Sequence, residues 1–307
     1  MESKNFLEEV RRYNINIRTD EKLAGYTTLN IGGPAKYFAF VNTVEELFNL
    51  LKLAREFNLK ILVIGAGSNL LISDKGFDGL VIKLKSEFNN VFINKTDVIS
   101  GSGVMLPMLI KLTVDYSLCG LEELFGIPGS AGGGIIMNAG TKIASISDNL
   151  LYIEAIKLDE LDLGIIRLNK NEINFGYRRS GLEDKFVILK SVFSLKEGDK
   201  IKLQQRITEV LLKRKETQPL GTFNAGCVFK NPDNGKISSA MLIEQCGLKG
   251  YSCGGAYISE KHANFIINKN NATCEDFLNL MRYVIKTVKE KFNITIEPEI
   301  KLVGVEL

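Results

Sequence analysis

The segment "NAGCVFKNP", residues 224–232, sets one thiol among small residues. Asn224, Ala225 and Gly226 lead into Cys227. The short β-prone pair Val228-Phe229 leads away from it, and a cation, an amide and a proline follow as Lys230, Asn231 and Pro232. Small residues let a backbone approach another group closely, so the thiol would stand beside whatever is approached. The competing reading is a cysteine that fills a small hole in a core, a common fate of a reduced Cys. Taken by itself the segment leaves both readings open. Two glycine-bearing segments suggest what could be approached. "GAGSN", residues 65–69, follows an apolar run. Glycines there let backbone N–H groups converge on an anionic oxygen, and Ser68 and Asn69 add side-chain donors. Leu70 stands where a G-x-G-x-x-G dinucleotide fingerprint needs glycine, so a plain hairpin turn explains this segment equally well. "GIPGSAGGGIIMNAG", residues 126–140, is denser in glycine and carries Ser130 and Asn138. Each ordered glycine costs about 0.5–1 kcal/mol relative to alanine in a regular element. Packing is not expected to call for so many, so the loop reads as built for a ligand, with an irregular corner between lobes as the alternative. Two separated phosphate nests suggest one dinucleotide with an extended pyrophosphate.

Regular elements must hold these segments in place. "NTVEELFNLLKLAREFNL" reads as a helix with Thr43 as N-cap and Glu46 completing a capping box. Leu47, Leu50, Leu51 and Ala54 form its apolar stripe. "KILVIGAGSNLLIS" reads as strand, turn and a second apolar run, and "GLVIKL" as a strand. "DVISGSGVMLPMLIKLTVDYSLCG" reads as strand, turn and a helix ending at Gly120. Short strands are expected between 150 and 196. "QQRITEVLLKRKET" is helical; its basic run Lys213-Arg214-Lys215, with Gln218 just beyond, reads either as a contributor to anion binding or as a solvated helix face, the more common fate of a charge run. A shorter helix is expected in "ISSAMLIEQCGL" and a strand in "ANFIINK". Thr273 and Asp276 cap a long helix whose apolar face is Phe277, Leu280, Met281, Val284 and Val288. "ITIEPEIKLVG" closes the chain as a strand interrupted by Pro298. Strands and helices mix without strict βαβ alternation, which implies an α+β architecture in two or more lobes, with the helix near 202–216 as the junction.

Composition narrows the function. The 307 residues carry 45% hydrophobic and 24% charged residues and a formal net charge of +3, the profile of an ordinary globular protein of about two domains. Charges of both signs are interspersed, so no basic face for nucleic acid is indicated. No stretch approaches the ~20 apolar residues of a membrane span, and the charged N-terminus lacks the apolar region of a secretory signal. Five cysteines without a C-x-x-C pair fit a reduced, cytoplasmic protein. A single histidine, His262, argues against a His-based metal site or a Ser-His-Asp hydrolase. "KHANFI" reads as a structural turn, and no metal is expected.

Several segments together resemble the UDP-N-acetylenolpyruvoylglucosamine reductase (UDP-N-acetylmuramate dehydrogenase) family. They are "TTLNIGGPA", "VIGAGSNLLISD", "GIPGSAGGGIIMNAG", "FGYRRSG", "NAGCVFKNP", "LIEQCGLKG", "HANFIIN" and "IEPEIKLVG", in the family's order from residue 27 to 304. The chain looks like the shorter family type, without an inserted tyrosine-bearing loop. The resemblance implies a noncovalent FAD in a fold of the vanillyl-alcohol-oxidase (PCMH) type, α+β, in two lobes with a C-terminal α+β substrate domain. The expected boundaries are 1–75 with the closing strand 300–307, 76–204, and 205–299 for the UDP-sugar. It implies NADPH as hydride donor and a small nucleotide-sugar substrate in peptidoglycan precursor synthesis, with no obligate protein partner. By resemblance, Gly65, Gly67, Ser68, Asn69, Gly129, Ser130, Gly132, Gly133 and Asn138 hold FAD.

Reduction of an enol ether requires a hydride at one vinyl carbon and a proton at the other. No side chain can supply the hydride, so the flavin must. Charge then develops on an enolate, which calls for cations or donors placed in advance, and a protein acid must stand near the other carbon. In the family that acid is a serine in G-S-x-F-K-N-P, and Cys227 occupies its position. An ordinary thiol, pKa ~8.5, is mostly protonated at neutral pH and is a far stronger acid than an alcohol. Family spacing selects Arg178 over Arg179 in "YRRS" to stabilise the enolate, and Glu299 over Glu297 in "EPE". Lys230 and Asn231 match positions near the substrate diphosphate. Two other readings share parts of this pattern. An FAD oxidase of the same fold would need the glycine loops but not the set Arg178, Cys227 and Glu299. A non-catalytic nucleotide-sugar or flavin-binding module would need no acid, cation and carboxylate on three segments.

Overall fold

The structure, a computed structural model, describes residues 5–307; residues 1–4 of the N-terminal stretch lie outside the described residues. The chain forms two compact units. The first takes in the N-terminal residues to Asp20, Lys36–Ala66 and Asp78–Leu211. The second takes in Glu21–Ala35, Gly67–Phe77 and Leu212–Leu307. Among the described residues no helix is long and apolar enough to cross a membrane.

The first unit carries two sheets. One has four strands in the order Ile17–Lys22, Pro34–Val41, Phe77–Leu84, Lys60–Val63. The last two run parallel, with Val63 opposite Ile82. Helix Val44–Glu56 supplies part of its core, burying Leu47, Leu50, Leu51 and Ala54 completely. A fully buried side chain of this size contributes about 1.5–3 kcal/mol. Thr43 caps this helix by accepting from the Glu46 N–H at 3.1 Å. The Glu46 carboxylate accepts from the Asn42 N–H, one residue before the cap. The expected box is therefore half formed, with its second bond displaced by one residue.

The second sheet is antiparallel throughout, in the order Ile165–Asn169, Leu150–Lys157, Phe186–Ser194, Asp97–Gly101, Val91–Asn94. Helix Leu106–Asp115 ends five residues before Gly120, against expectation. Ser117 takes a left-handed φ of 59°, and Leu118–Cys119 then pairs with Lys196–Glu197. Breaking early buries Leu118 in the core. The glycine-dense segment is also more regular than expected. Ala131–Ile136 is a short helix, capped by Ser130 accepting from the Gly133 N–H at 3.3 Å.

In the second unit, helix Cys274–Phe292 has the full capping box of Thr273 and Asp276 and buries the predicted face of Phe277, Leu280, Met281, Val284 and Val288. Helix Ser239–Gln245 and a three-stranded sheet, Ser252–Cys253, Ala256–Ile258 and Ile266–Asn268, complete its core. The closing strand is shorter than expected. Only Lys301–Val303 is strand, and it pairs in parallel with Leu70–Ile72. Pro298, which has no N–H to give a ladder, makes an isolated bridge to Phe229 instead.

Candidate active site

Strand Lys60–Val63 delivers the first glycine turn, and the Ser130 cap delivers the second loop beside it. A Cβ on Gly65 would lie 2.4 Å from Ser130 Oγ, and one on Gly132 would lie 2.8 Å from the Ser102 Cβ. Packing between the loops therefore accounts for part of the glycine content, at Gly65 and at Gly132. A ligand-facing role falls more naturally to Gly133, where a Cβ would meet only Ser130 Oγ, at 3.3 Å. Asn138, nearly buried, donates from Nδ2 to the Gly176 carbonyl at 3.0 Å. Its Oδ1 and the Ser102 hydroxyl are buried without a hydrogen-bond partner. Buried polar atoms left this way are costly unless a ligand or water satisfies them. Side-by-side loops with orphaned polar atoms fit a bound FAD. Gly129, the residue before the cap, accepts at its carbonyl from Leu106 N–H.

The "YRRS" segment docks on the same loop. Arg178 donates from Nη2 to the Gly140 carbonyl at 2.8 Å, and Ser180 Oγ donates to the Ile136 carbonyl at 2.8 Å. Arg178 itself holds a left-handed φ of 55°, a conformation that costs a side-chain-bearing residue about 1–2 kcal/mol. Such strain persists where the surroundings require a particular side-chain direction. Arg179 is exposed.

The second unit brings Cys227, Glu299 and Asn69 onto adjoining segments. Val228, next to the thiol, accepts at its carbonyl from the Glu299 N–H at 2.7 Å. Asn69 Nδ2 donates to the Glu299 carbonyl at 3.2 Å, and the Lys301 N–H donates to the Asn69 carbonyl at 3.0 Å. Thr28, in "TTLN", joins the same framework. Its N–H donates to the Gly67 carbonyl and its hydroxyl to the Asn224 carbonyl at 2.6 Å. Gly67 has a φ of 66°, and a Cβ there would lie 2.0 Å from the Tyr26 carbonyl oxygen, so only glycine fits. Asn264 clamps the other edge, with its Nδ2 donating to the Phe229 carbonyl and its Oδ1 accepting from the Phe229 N–H. His262 is a turn residue as expected. Its Nδ1 accepts from the Asn264 N–H, its ring packs edge-on to Phe265, and burial, then Lys249, push its pKa down.

Cys227 and Glu299 are both half-buried, whereas Cys274 is the cysteine buried in the core. Glu297 is largely exposed and lies 3.9 Å from Lys230 Nζ. Asn231 accepts at Oδ1 from the Ser239 N–H at 3.0 Å. The two ends of the predicted site differ in placement: Arg178 belongs to the first unit, Cys227 and Glu299 to the second.

Within the basic run 213–215 the structure sets Arg214 apart. Lys213 and Lys215 are solvated, but Arg214 turns inward and its Nε is fully buried without a partner. Burial lowers its pKa, and the charge of Cys227 opposes that shift. The signal was present in the helical period. Arg214 lies eleven residues after the buried Leu203, through Ile207 and Val210, and so falls on the same face of helix Lys200–Thr217.

The glycine loops and their docked partners define a flavoprotein, and residues 35–160 match an FAD binding domain. Residues 218–303 match the C-terminal domain of UDP-N-acetylenolpyruvoylglucosamine reductase. The chain is 40% identical over 286 residues to the UDP-N-acetylenolpyruvoylglucosamine reductase of Caldanaerobacter subterraneus subsp. tengcongensis, covering 93% of each chain. It is 38% identical to the enzyme of the same name from Clostridium novyi, covering 94% of this chain and 93% of the other. The crystal structure of the reductase from Thermus caldophilus superposes with a TM-score of 0.80 at 36% identity, covering 94% of this chain and 99% of that one. This chain belongs to the UDP-N-acetylenolpyruvoylglucosamine reductase family, FAD-containing oxidoreductases of peptidoglycan precursor synthesis.

Proposed function

We propose that the chain reduces UDP-N-acetylglucosamine enolpyruvate to UDP-N-acetylmuramate with electrons from NADPH, and that Cys227 supplies the proton. FAD held by the two glycine loops would supply the hydride chemistry, between NADPH and the vinyl carbon. The loops around Gly65 and Ser130 hold its pyrophosphate, with Gly67, Ser68, Asn69, Gly129, Gly132, Gly133 and Asn138 contributing. Arg178 sets a cation against the enolate that hydride addition generates. Glu299 hydrogen-bonds the substrate carboxylate or enolate. The Cys227 thiol then protonates the remaining carbon, and the Arg214 guanidinium faces the thiolate that is left. Residues 205–299 form the UDP-sugar domain, in which Lys230 and Asn231 lie near the diphosphate.

The observation that carries this reading is the bond from the Glu299 N–H to the Val228 carbonyl, which places acid and carboxylate on paired backbone segments. A core-filling role suits Cys227 poorly, because it is half-exposed and interacts electrostatically with the partly buried Arg214. The test is spectroscopic. The oxidised flavin band should bleach with NADPH and return under anaerobic conditions only when the enolpyruvyl sugar is added. Return with oxygen alone, and none with the sugar, would instead support an oxidase.

A further inference from the structure

Lys83 occupies an unusual place for a lysine. Its strand, Phe77–Leu84, lies inside the four-stranded sheet, and its neighbours Ile82 and Leu84 are buried. The parallel register sets Val63 opposite Ile82, and the Ile64 N–H donates to the Ile82 carbonyl at 2.9 Å. One step further along, Lys83 lies beside the first glycine turn, and its ammonium donates to the Gly65 carbonyl. Gly65 is also the residue that meets Ser130 of the second loop. The cation therefore sits at the place where the two loops join. Burial lowers the Lys83 pKa, and Lys85 adds to the effect, so an apolar side chain would be cheaper here if packing were its only duty.

A peptide group is planar, and its C=O and N–H point in opposite directions. An ammonium that fixes the Gly65 carbonyl on one side therefore fixes the Ala66 N–H toward the other. Its charge also polarises that peptide, which strengthens the N–H as a donor. We propose that Lys83 is a positioning residue for the cofactor, which acts through the Gly65–Ala66 peptide to aim the Ala66 N–H at the FAD pyrophosphate. This rests on the reading that the two glycine loops hold that pyrophosphate.

The test compares Lys83→Met, Lys83→Gln and Lys83→Arg with the wild type. Two quantities are read: the Kd for FAD, from quenching of flavin fluorescence on rebinding to apoprotein, and the 31P resonances of the holoenzyme at saturating FAD. Lys83→Met should raise the Kd roughly 10- to 100-fold and shift the pyrophosphate resonances, while the flavin absorption maximum and the melting point of the apoprotein stay in place. Lys83→Gln should fall between, and Lys83→Arg should return close to wild type. A Lys83→Met protein with unchanged Kd and unchanged resonances overturns the inference. So does a loss that Arg fails to rescue and that follows a lower apoprotein melting point or a displaced flavin band, since that is general loosening. Wild-type 31P resonances identical to those of unbound FAD would instead overturn the loop assignment itself, whatever Lys83 does.

Discussion

Two cysteines of the second unit stand in opposite environments. Cys274 opens the helix Cys274–Phe292 and is buried in the core. Burial pushes its thiol up to about 12, and Asp74 and Glu275 add to the shift. The Asp74 carboxylate accepts from the Cys274 N–H through both oxygens, at 2.9 and 3.0 Å, which satisfies a first-turn donor. Cys227 lies in an irregular segment, half-exposed, and interacts electrostatically with the Arg214 cation. The first thiol is kept neutral beside a carboxylate. The charge of the neighbour and access to solvent separate the two environments; the element does not, since a helix start is often where thiolates are favoured.

The largest expected effect tests this contrast directly. Cys227→Ala should bind FAD, accept electrons from NADPH and bind the enolpyruvyl sugar, yet lose roughly 10²–10⁴-fold in turnover. Cys227→Ser should recover most of it, and Cys274→Ala should leave turnover unchanged. Near-normal turnover in Cys227→Ala would return that residue to packing.

Next in size, Arg178→Ala and Glu299→Gln should each slow flavin reoxidation by the sugar about 10²–10³-fold, with reduction by NADPH largely intact. In the proposed reaction both groups act on the enolate, which would exist only in the second half-reaction. Equal losses in both halves, seen by stopped flow, would count against the assignment.

The buried thiol makes a prediction about stability. The Cys274 pKa is raised on folding, so its contribution is complete below the ordinary thiol value and is lost as pH rises toward about 12. Denaturant titrations between about pH 9 and 12 should show an alkaline loss of up to about 4 kcal/mol that is absent from Cys274→Ala. Alkylation should label Cys227 in the native protein, with protection by substrate, and reach Cys274 only on unfolding.

The smallest effect is expected from Asp74→Asn. It removes the anion at the helix start at a cost of about 0.5–1 kcal/mol and lets the Cys274 thiol titrate at lower pH. An unchanged alkaline limb would show that Asp74 does not hold that thiol neutral.

The regular elements were readable from the chain because they rest on local periodicity. The stripe Leu47, Leu50, Leu51, Ala54 and the face from Phe277 to Val288 are both fully buried, and Thr43 and Thr273 cap as their types require. Where the reading went wrong, distant contacts overrode local preference. The helix before Ser117 breaks so that Leu118 can pair with Glu197 and enter the core. Glycines at 65 and 132 serve contacts with Ser130 and Ser102, tens of residues away.

The sequence by itself determined the family, the cofactor domain and the ordered motifs, because these are strings whose residue types and spacing survive without coordinates. The resemblance also marked Cys227, a thiol where it implies a hydroxyl. Only the tertiary structure decided which cation of the basic run is buried and what lies beside the first glycine turn. The run 213–215 read either as a solvated face or as a contributor to the site until the helix turned Arg214 inward, and Lys83 read as an ordinary strand residue until the parallel register set it against Gly65. Both depend on direction and burial: a cation's charge is written in the chain, but the low-dielectric surroundings that give the charge its force are assembled only on folding.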